Sequence, residues 1–175
     1  MPSVDKVREI KVFGMFGDTL FHPALWHLNR RSAAGGVAAG LFCGLIPGPL
    51  QMLGAAVCAL LFRVNLPLAL GTTLYTNPLT IVPLYLVGYE IGSFVLGATG
   101  ERHVPPAPDW DFGHPVQSVE ALGEWAMSLG APLAFGIFLL ACLLAALGYT
   151  VVRVGWSIYL RRAWQARKRR RLQPG

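Results

Sequence analysis

The sequence predicts an all-α membrane protein: a re-entrant helical hairpin and about two spanning helices, one broken at an Asn-Pro pair, between amphipathic cytoplasmic termini. Three observations carry this. Hydrophobic residues are 54% of the chain, and 20 glycines among 175 residues lift the apolar share to about two-thirds, well above a soluble domain. Charged residues are 14%, against roughly 25% in soluble chains. The charges are also segregated. Residues 1–31 hold five basic and three acidic groups, residues 153–171 hold eight basic groups and no acid, and residues 101–124 hold Arg102 against five carboxylates. Basic flanks stay in the cytoplasm, so both termini are expected inside and the acidic loop outside, with an even number of crossings.

Residues 1–31 are expected to form an amphipathic cytoplasmic segment. Val7, Ile10, Phe13, Phe16 and Leu20 recur among polar neighbours, and Gly14, Gly17 and Pro23 interrupt them. Such pieces lie on a membrane surface or pack on the domain. The segment lacks the continuous apolar core of a secretory signal.

Residues 32–99 are the expected membrane core. No charge lies between Arg31 and Arg63, but Pro47, Gly48 and Pro49 divide the run into arms 33–46 and 50–62. A 14-residue arm rises about 21 Å, short of the ~30 Å hydrocarbon layer. Each proline removes an amide and obstructs the preceding turn. The economical result is a re-entrant hairpin over 32–63, with Arg31, Arg63 and Asn65 at its cytoplasmic foot and Pro47, Gly48 and Pro49 at its tip. Ser32, Gly36, Gly40 and Gly44 form a stripe of small residues that lets backbones approach closely. Its expected use is packing the two arms together; a homodimer face is the alternative. A broken spanning helix follows over 66–97. Pro78 frees a carbonyl that neighbouring threonine or asparagine groups can satisfy.

Residues 100–130 are expected to be an acidic external loop, solvated and rich in proline. Residues 131–152 are 22 uncharged residues, the plainest spanning helix. The tail, 153–175, carries Arg161, Arg162, Arg167, Lys168, Arg169, Arg170 and Arg171 beside Trp156, Tyr159 and Trp164. That mixture suits an interfacial helix on anionic lipid headgroups rather than nucleic acid.

Little points to catalysis. No phosphate loop, Gly-x-Ser-x-Gly or His-Glu-x-x-His occurs. His22 and His27 straddle a proline, and His103 and His114 lie in the loop, so neither a metal nor a cofactor is expected, and the protein is not expected to be an enzyme. Cys43, Cys58 and Cys142 are odd in number and widely spaced, which suits small buried hydrophobes. A binding site is the better prospect. Gln51, Thr76, Asn77 and Thr80 are polar groups beside two helix breaks at similar depth. They either cap the broken helices or line a polar pocket, where amides opening the second arm would attract an anion. Glu90 lies near the outer end of the broken helix, where Tyr85 and Tyr89 mark the interface.

The motifs HPALWHLNRRS, IPGPLQM, FRVNLP and TNPLT, in that order and with the glycine stripe between the first two, resemble the bacterial domain-of-unknown-function 2062 family over about residues 22–97. The resemblance implies a small bacterial inner-membrane protein and no activity. It marks Pro47, Pro49, Gln51, Arg63, Asn65, Pro67, Asn77, Pro78 and Thr80 as family-type positions. Some members are joined to glycosyltransferase-like domains, which hints at envelope metabolism. Two functions are therefore expected as alternatives. One is a small transporter or lipid-handling protein for an anionic or lipid-linked substrate, expected to work as a homo-oligomer. The other is a non-catalytic scaffold that docks an envelope-biosynthesis enzyme.

Overall fold

The computed structural model describes residues 23–48, 50–97 and 104–171, with side chains of 25–48, 50–97 and 104–165. The expectations for residues 1–22, Pro49 and His103, and for the side chains of Arg167, Lys168, Arg169, Arg170 and Arg171, lie outside the described residues. Among those described there are seven α-helices and no strand. They are α1 (Pro23–Trp26), α2 (Arg30–Cys43), α3 (Leu50–Phe62), α4 (Leu66–Thr73), α5 (Ile81–Val95), α6 (Pro115–Ser128) and α7 (Gly130–Arg171).

Asparagines start two of these helices. The Asn29 side-chain oxygen accepts from the amides of Arg31 and Ser32 at 3.0 and 2.8 Å, which satisfies donors that α2 leaves orphaned. Asn65 does the same for α4, accepting from Leu68 N at 2.9 Å. Its own amide donates to Ser32 O at 3.1 Å, and the residue is only 2% exposed. Asn65→Ala should cost about 1–2 kcal/mol, read as a lower melting temperature in detergent; an unchanged melting temperature would show that α4 needs no cap. Between these caps, α3 closes on Arg63 in the left-handed region (φ 51°). Val64 N reaches back to Ala59 O at 3.0 Å, the wrap that ends many helices.

The register follows from the contacts. Gly36, Gly40 and Gly44 of α2 face Asn65, Ala69 and Tyr75 in turn, so α2 and the chain through α4 run side by side in one direction. Arg30 meets Ser157, Leu41 meets Gly148, and Leu45 meets Leu140 and Ala141, so α7 runs antiparallel to α2. Gly92 and Gly88 of α5 meet Pro132 and Gly136, so α7 is antiparallel to α5 as well. Helix α5 thus lies against the N-terminal end of α7 and α2 against its C-terminal half, with α4 beside α2 on the side away from α7. The turn after α2 and the break before α5 fall at the same level, near Leu140.

Three expectations are corrected. The stripe of Ser32, Gly36, Gly40 and Gly44 does not pack the hairpin arms together. It faces α4, where a Cβ on Gly36 would stand 2.6 Å from Asn65 O and one on Gly40 would stand 2.7 Å from Thr72 Cβ. The arms meet instead through Ala39, Cys43, Ala55 and Ala59, because α4 comes closest to α2 and claims its bare face. The segment 100–130 is not only a loop, although its described carboxylates are solvent-exposed as expected. Within 100–130 lies α6, whose Trp125 stacks on Tyr85 (centroids 6.5 Å, planes 9° apart) and donates from Nε1 to Pro105 O at 2.9 Å. Glu120 and Glu124 occupy its exposed face. The basic tail is not a separate interfacial helix: α7 continues unbroken for 42 residues.

The part of α7 from Gly130 to Gln165 is long and apolar enough to cross a membrane, and only 17% of its most apolar window is buried within the chain. A core helix in a soluble protein of that composition would be covered. Leu61, Phe62, Phe94, Leu143 and Leu147 are each more than half exposed, an outward apolar surface that water does not favour.

Candidate binding site at the helix breaks

Four helix ends meet at the level of Leu140: the C-termini of α2 and α4 and the N-termini of α3 and α5. An α-helix leaves its last carbonyls without partners, and in an apolar medium each must find one. The structure supplies them from side chains. Tyr75 OH donates to Leu41 O at 2.9 Å, and Tyr85 OH donates to Leu45 O at 2.9 Å. Thr76 Oγ1 lies 2.6 Å from Gly44 O, 3.0 Å from Thr73 O and 2.7 Å from Gln51 Oε1. A hydroxyl has one proton to give, so it cannot serve all three. The amide of Gln51 resolves the conflict when its NH2 faces Thr76, since amide orientation is set by the hydrogen-bond network. Thr76 then accepts from Gln51 and donates to Gly44 O, and the Gln51 oxygen is left free of Thr76.

The break itself is self-capped. Asn77 Oδ1 accepts from Leu79 N at 2.9 Å and from Thr80 N at 3.2 Å. Thr80 Oγ1 accepts from Asn77 N at 2.9 Å and donates to Tyr75 O at 2.7 Å. The Thr80 hydroxyl is therefore spent on backbone and does not line the cavity described next, contrary to the sequence expectation. Asn77 keeps its Nδ2 hydrogens, which have no partner among the described residues.

A cavity of about 180 Å³ lies between the two breaks. Pro47, Gly48 and Gln51 form one wall and Thr76, Asn77 and Pro78 the second; Trp110, Val119 and Leu122 close the third. The sequence-predicted residues Gln51, Thr76 and Asn77 thus share one space. Trp110 Nε1 is buried and has no hydrogen-bond partner among the described residues. The amide side chains on the lining are those of Gln51 and Asn77. Among the described residues no carboxylate and no cation lines the cavity. A larger, mostly apolar groove of about 680 Å³ adjoins it at Pro47, between α6, α7 and the end of α2.

The third wall is what sequence reasoning missed. Val116, Val119, Leu122, Trp125 and Leu129 recur at intervals of three and four, the spacing of one helical face, and that signal was available beneath the acidic residues. The loop before α6 is held by its own contacts: the Asp111 carboxylate sits 2.8 Å from His114 Nδ1 and accepts from Gly113 N at 2.7 Å. The His114 contact and then the Gly113 amide hold that carboxyl below the usual carboxylate range. Tyr75 and Tyr85 were also missed as partners of freed carbonyls. Their roles depend on contacts across 34 and 40 positions, which no local pattern carries. Arg31 and Arg63 stay at the far end from the cavity, at the start of α2 and the end of α3. Glu90 is exposed on α5, level with the first two turns of α7.

A family model described as "Uncharacterized protein conserved in bacteria (DUF2062)" matches residues 14–165. No curated protein and no solved structure matches the chain.

Proposed function

The chain belongs to the DUF2062 family of uncharacterised bacterial proteins, and from that premise we propose that it is a small inner-membrane transporter or lipid-handling protein that binds an anionic or lipid-linked molecule. One observation carries the reading: a hairpin tip, a helix break and a segment folding back from the opposite end surround one cavity whose lining includes the amide side chains of Gln51 and Asn77. Broken helices meeting at the membrane midplane are a recurrent way to hold a substrate. In this topology α2 and α3 enter and leave from the cytoplasm, α4 and α5 together cross outward, and α7 crosses back. Residues 104–128 cover the outer side of the tip. The donors suit an oxygen-rich group such as a phosphate, a carboxylate or a sugar hydroxyl, and the adjoining apolar groove suits a hydrocarbon chain. The reading contains no catalytic step. Any homo-oligomer would use the outward apolar faces, since the glycine stripe is occupied within one chain.

A second reading has its own support. Beyond Ser157, where α2 starts, α7 runs on with Tyr159 and Trp164 strongly exposed and with a dense basic end. That projection suits a scaffold docking an envelope-biosynthesis partner.

The test is access. Single cysteines at positions 48, 51 and 77, in a chain freed of its native thiols, should react with a membrane-impermeant thiol reagent from one side of inverted vesicles. Gln51→Leu and Asn77→Leu should abolish substrate movement while the protein stays folded. Cysteines unreactive from both sides would mean a dry tip and leave the scaffold.

A further inference from the structure

We propose that Arg30, Arg153 and Arg161 form a binding site for a phosphate group at the cytoplasmic end of the bundle, separate from the cavity at the helix breaks. The antiparallel pairing of α2 with α7 creates it. Arg153, Ser157 and Arg161 follow each other at four-residue spacing on one face of α7, and Arg30 opens α2 directly opposite. Together with Val154 and Ile158 they line an open surface hollow of about 360 Å³.

Two of the arginines, Arg30 and Arg153, are held by contacts. Arg30 Nη1 donates to Ser157 Oγ at 3.3 Å, while Ser157 Oγ donates to Arg153 O at 2.8 Å. Arg153 Nη1 donates to Tyr149 OH at 3.1 Å, and its guanidinium lies 5.4 Å from the centroid of that ring. Three guanidinium groups around one hollow repel each other, and among the described residues no carboxylate lines it. The described carboxylates, Glu90, Asp109, Asp111, Glu120 and Glu124, all lie on α5 or on 104–128, toward the N-terminal end of α7. An anion is the missing partner. A guanidinium fork matches two phosphate oxygens at once. The hollow begins at Arg153, the first charge after the uncharged run of α7, which is the depth of the lipid phosphates. The shared chemistry is a phosphate ester; its source is either an anionic phospholipid or a soluble phosphate.

Purified full-length protein in neutral detergent would be titrated with phosphatidylglycerol, phosphatidylcholine and glycerol phosphate, with binding read by native mass spectrometry. Phosphatidylglycerol binding alone supports the lipid source; glycerol phosphate competing with it supports a soluble phosphate. Arg153→Gln should weaken binding roughly 10-fold or more, the loss of a charge-assisted contact. Arg153→Lys should recover only part of it, because the fork is gone. Arg162→Gln, equal in charge change but outside the hollow, should weaken it less than about 3-fold. Size-exclusion profiles would confirm that each variant folds. Equal losses in Arg153→Gln and Arg162→Gln would mean diffuse surface attraction and overturn the site, as would the absence of binding by either phosphate compound.

Discussion

Gly136→Ala is expected to remove most folded protein, and Gly92→Ala to do the same. These residues lie where α5 crosses α7. A Cβ on Gly136 would strike Gly88 O and come within 2.7 Å of Gly92 N; one on Gly92 would strike Pro132 O and come within 2.9 Å of Gly136 N. The obstructing atoms are backbone, so no side chain can rotate away. The helices must separate, and separation also pulls apart Tyr85, Trp125, Leu129 and Leu133, which pack beside the crossing. Overpacking of this kind costs about 1–3 kcal/mol when neighbours can yield and more when they cannot, a large share of the roughly 5–15 kcal/mol that holds a domain together. Gly71→Ala and Gly155→Ala are the controls, since a Cβ at either position meets nothing within 4 Å. They should match the parent or slightly exceed it, because alanine favours helix. Detergent-solubilised yield and the unfolding midpoint would decide; a well-folded Gly136→Ala would mean that the helices lie farther apart than described.

Thr76→Val is expected to damage both stability and binding. Valine keeps the shape and removes the hydroxyl. Gly44 O then loses its side-chain donor at the end of α2, and the Gln51 amide loses its anchor. A buried acceptor left unpaired costs about 1–3 kcal/mol. Thr76→Ser keeps the hydroxyl and should restore most of both properties. Gln51→Leu separates the two effects: Gly44 O keeps Thr76, so stability should fall by less than in Thr76→Val, while the binding of an oxygen-rich ligand should fall about 10-fold or more. Calorimetric unfolding of the three variants, beside ligand binding, gives the comparison. Equal destabilisation by Gln51→Leu and Thr76→Val would show that Gln51 is a structural cap and not a ligand group.

The helical class, the break at Pro47 and the break at Asn77-Pro78 were legible because proline and a charge-free run act locally. The depth shared by the two breaks was also legible, since it follows from arm lengths. What α2 packs against was not. A stripe of Ser32, Gly36, Gly40 and Gly44 states that a backbone comes close, but not whose. The choice of α4 over α3 depends on where the Arg63 turn and the Asn65 cap send the chain, and those are fixed by contacts such as Asn65 N to Ser32 O. Helix α6 was obscured because the stretch around it, 101–124, was read by its five carboxylates and its prolines, although α6 itself carries only Glu120 and Glu124. Thr80 was misassigned for a simpler reason: a threonine beside a break can serve a ligand or the backbone, and only geometry separates the two.

The pairing of α2 with α7 bears on biogenesis. Arg30 and Ser157 meet across 127 positions, so the first hairpin leaves a ribosome long before the helix that supports one side of it exists. Until Gly148 and its neighbours have been synthesised, Val37 and Leu41 lack the partner that covers them in the finished fold. That face of α2 is therefore completed late, and the nascent hairpin, with this face bare, is the stage at which a chaperone or a quality-control protease would meet this protein.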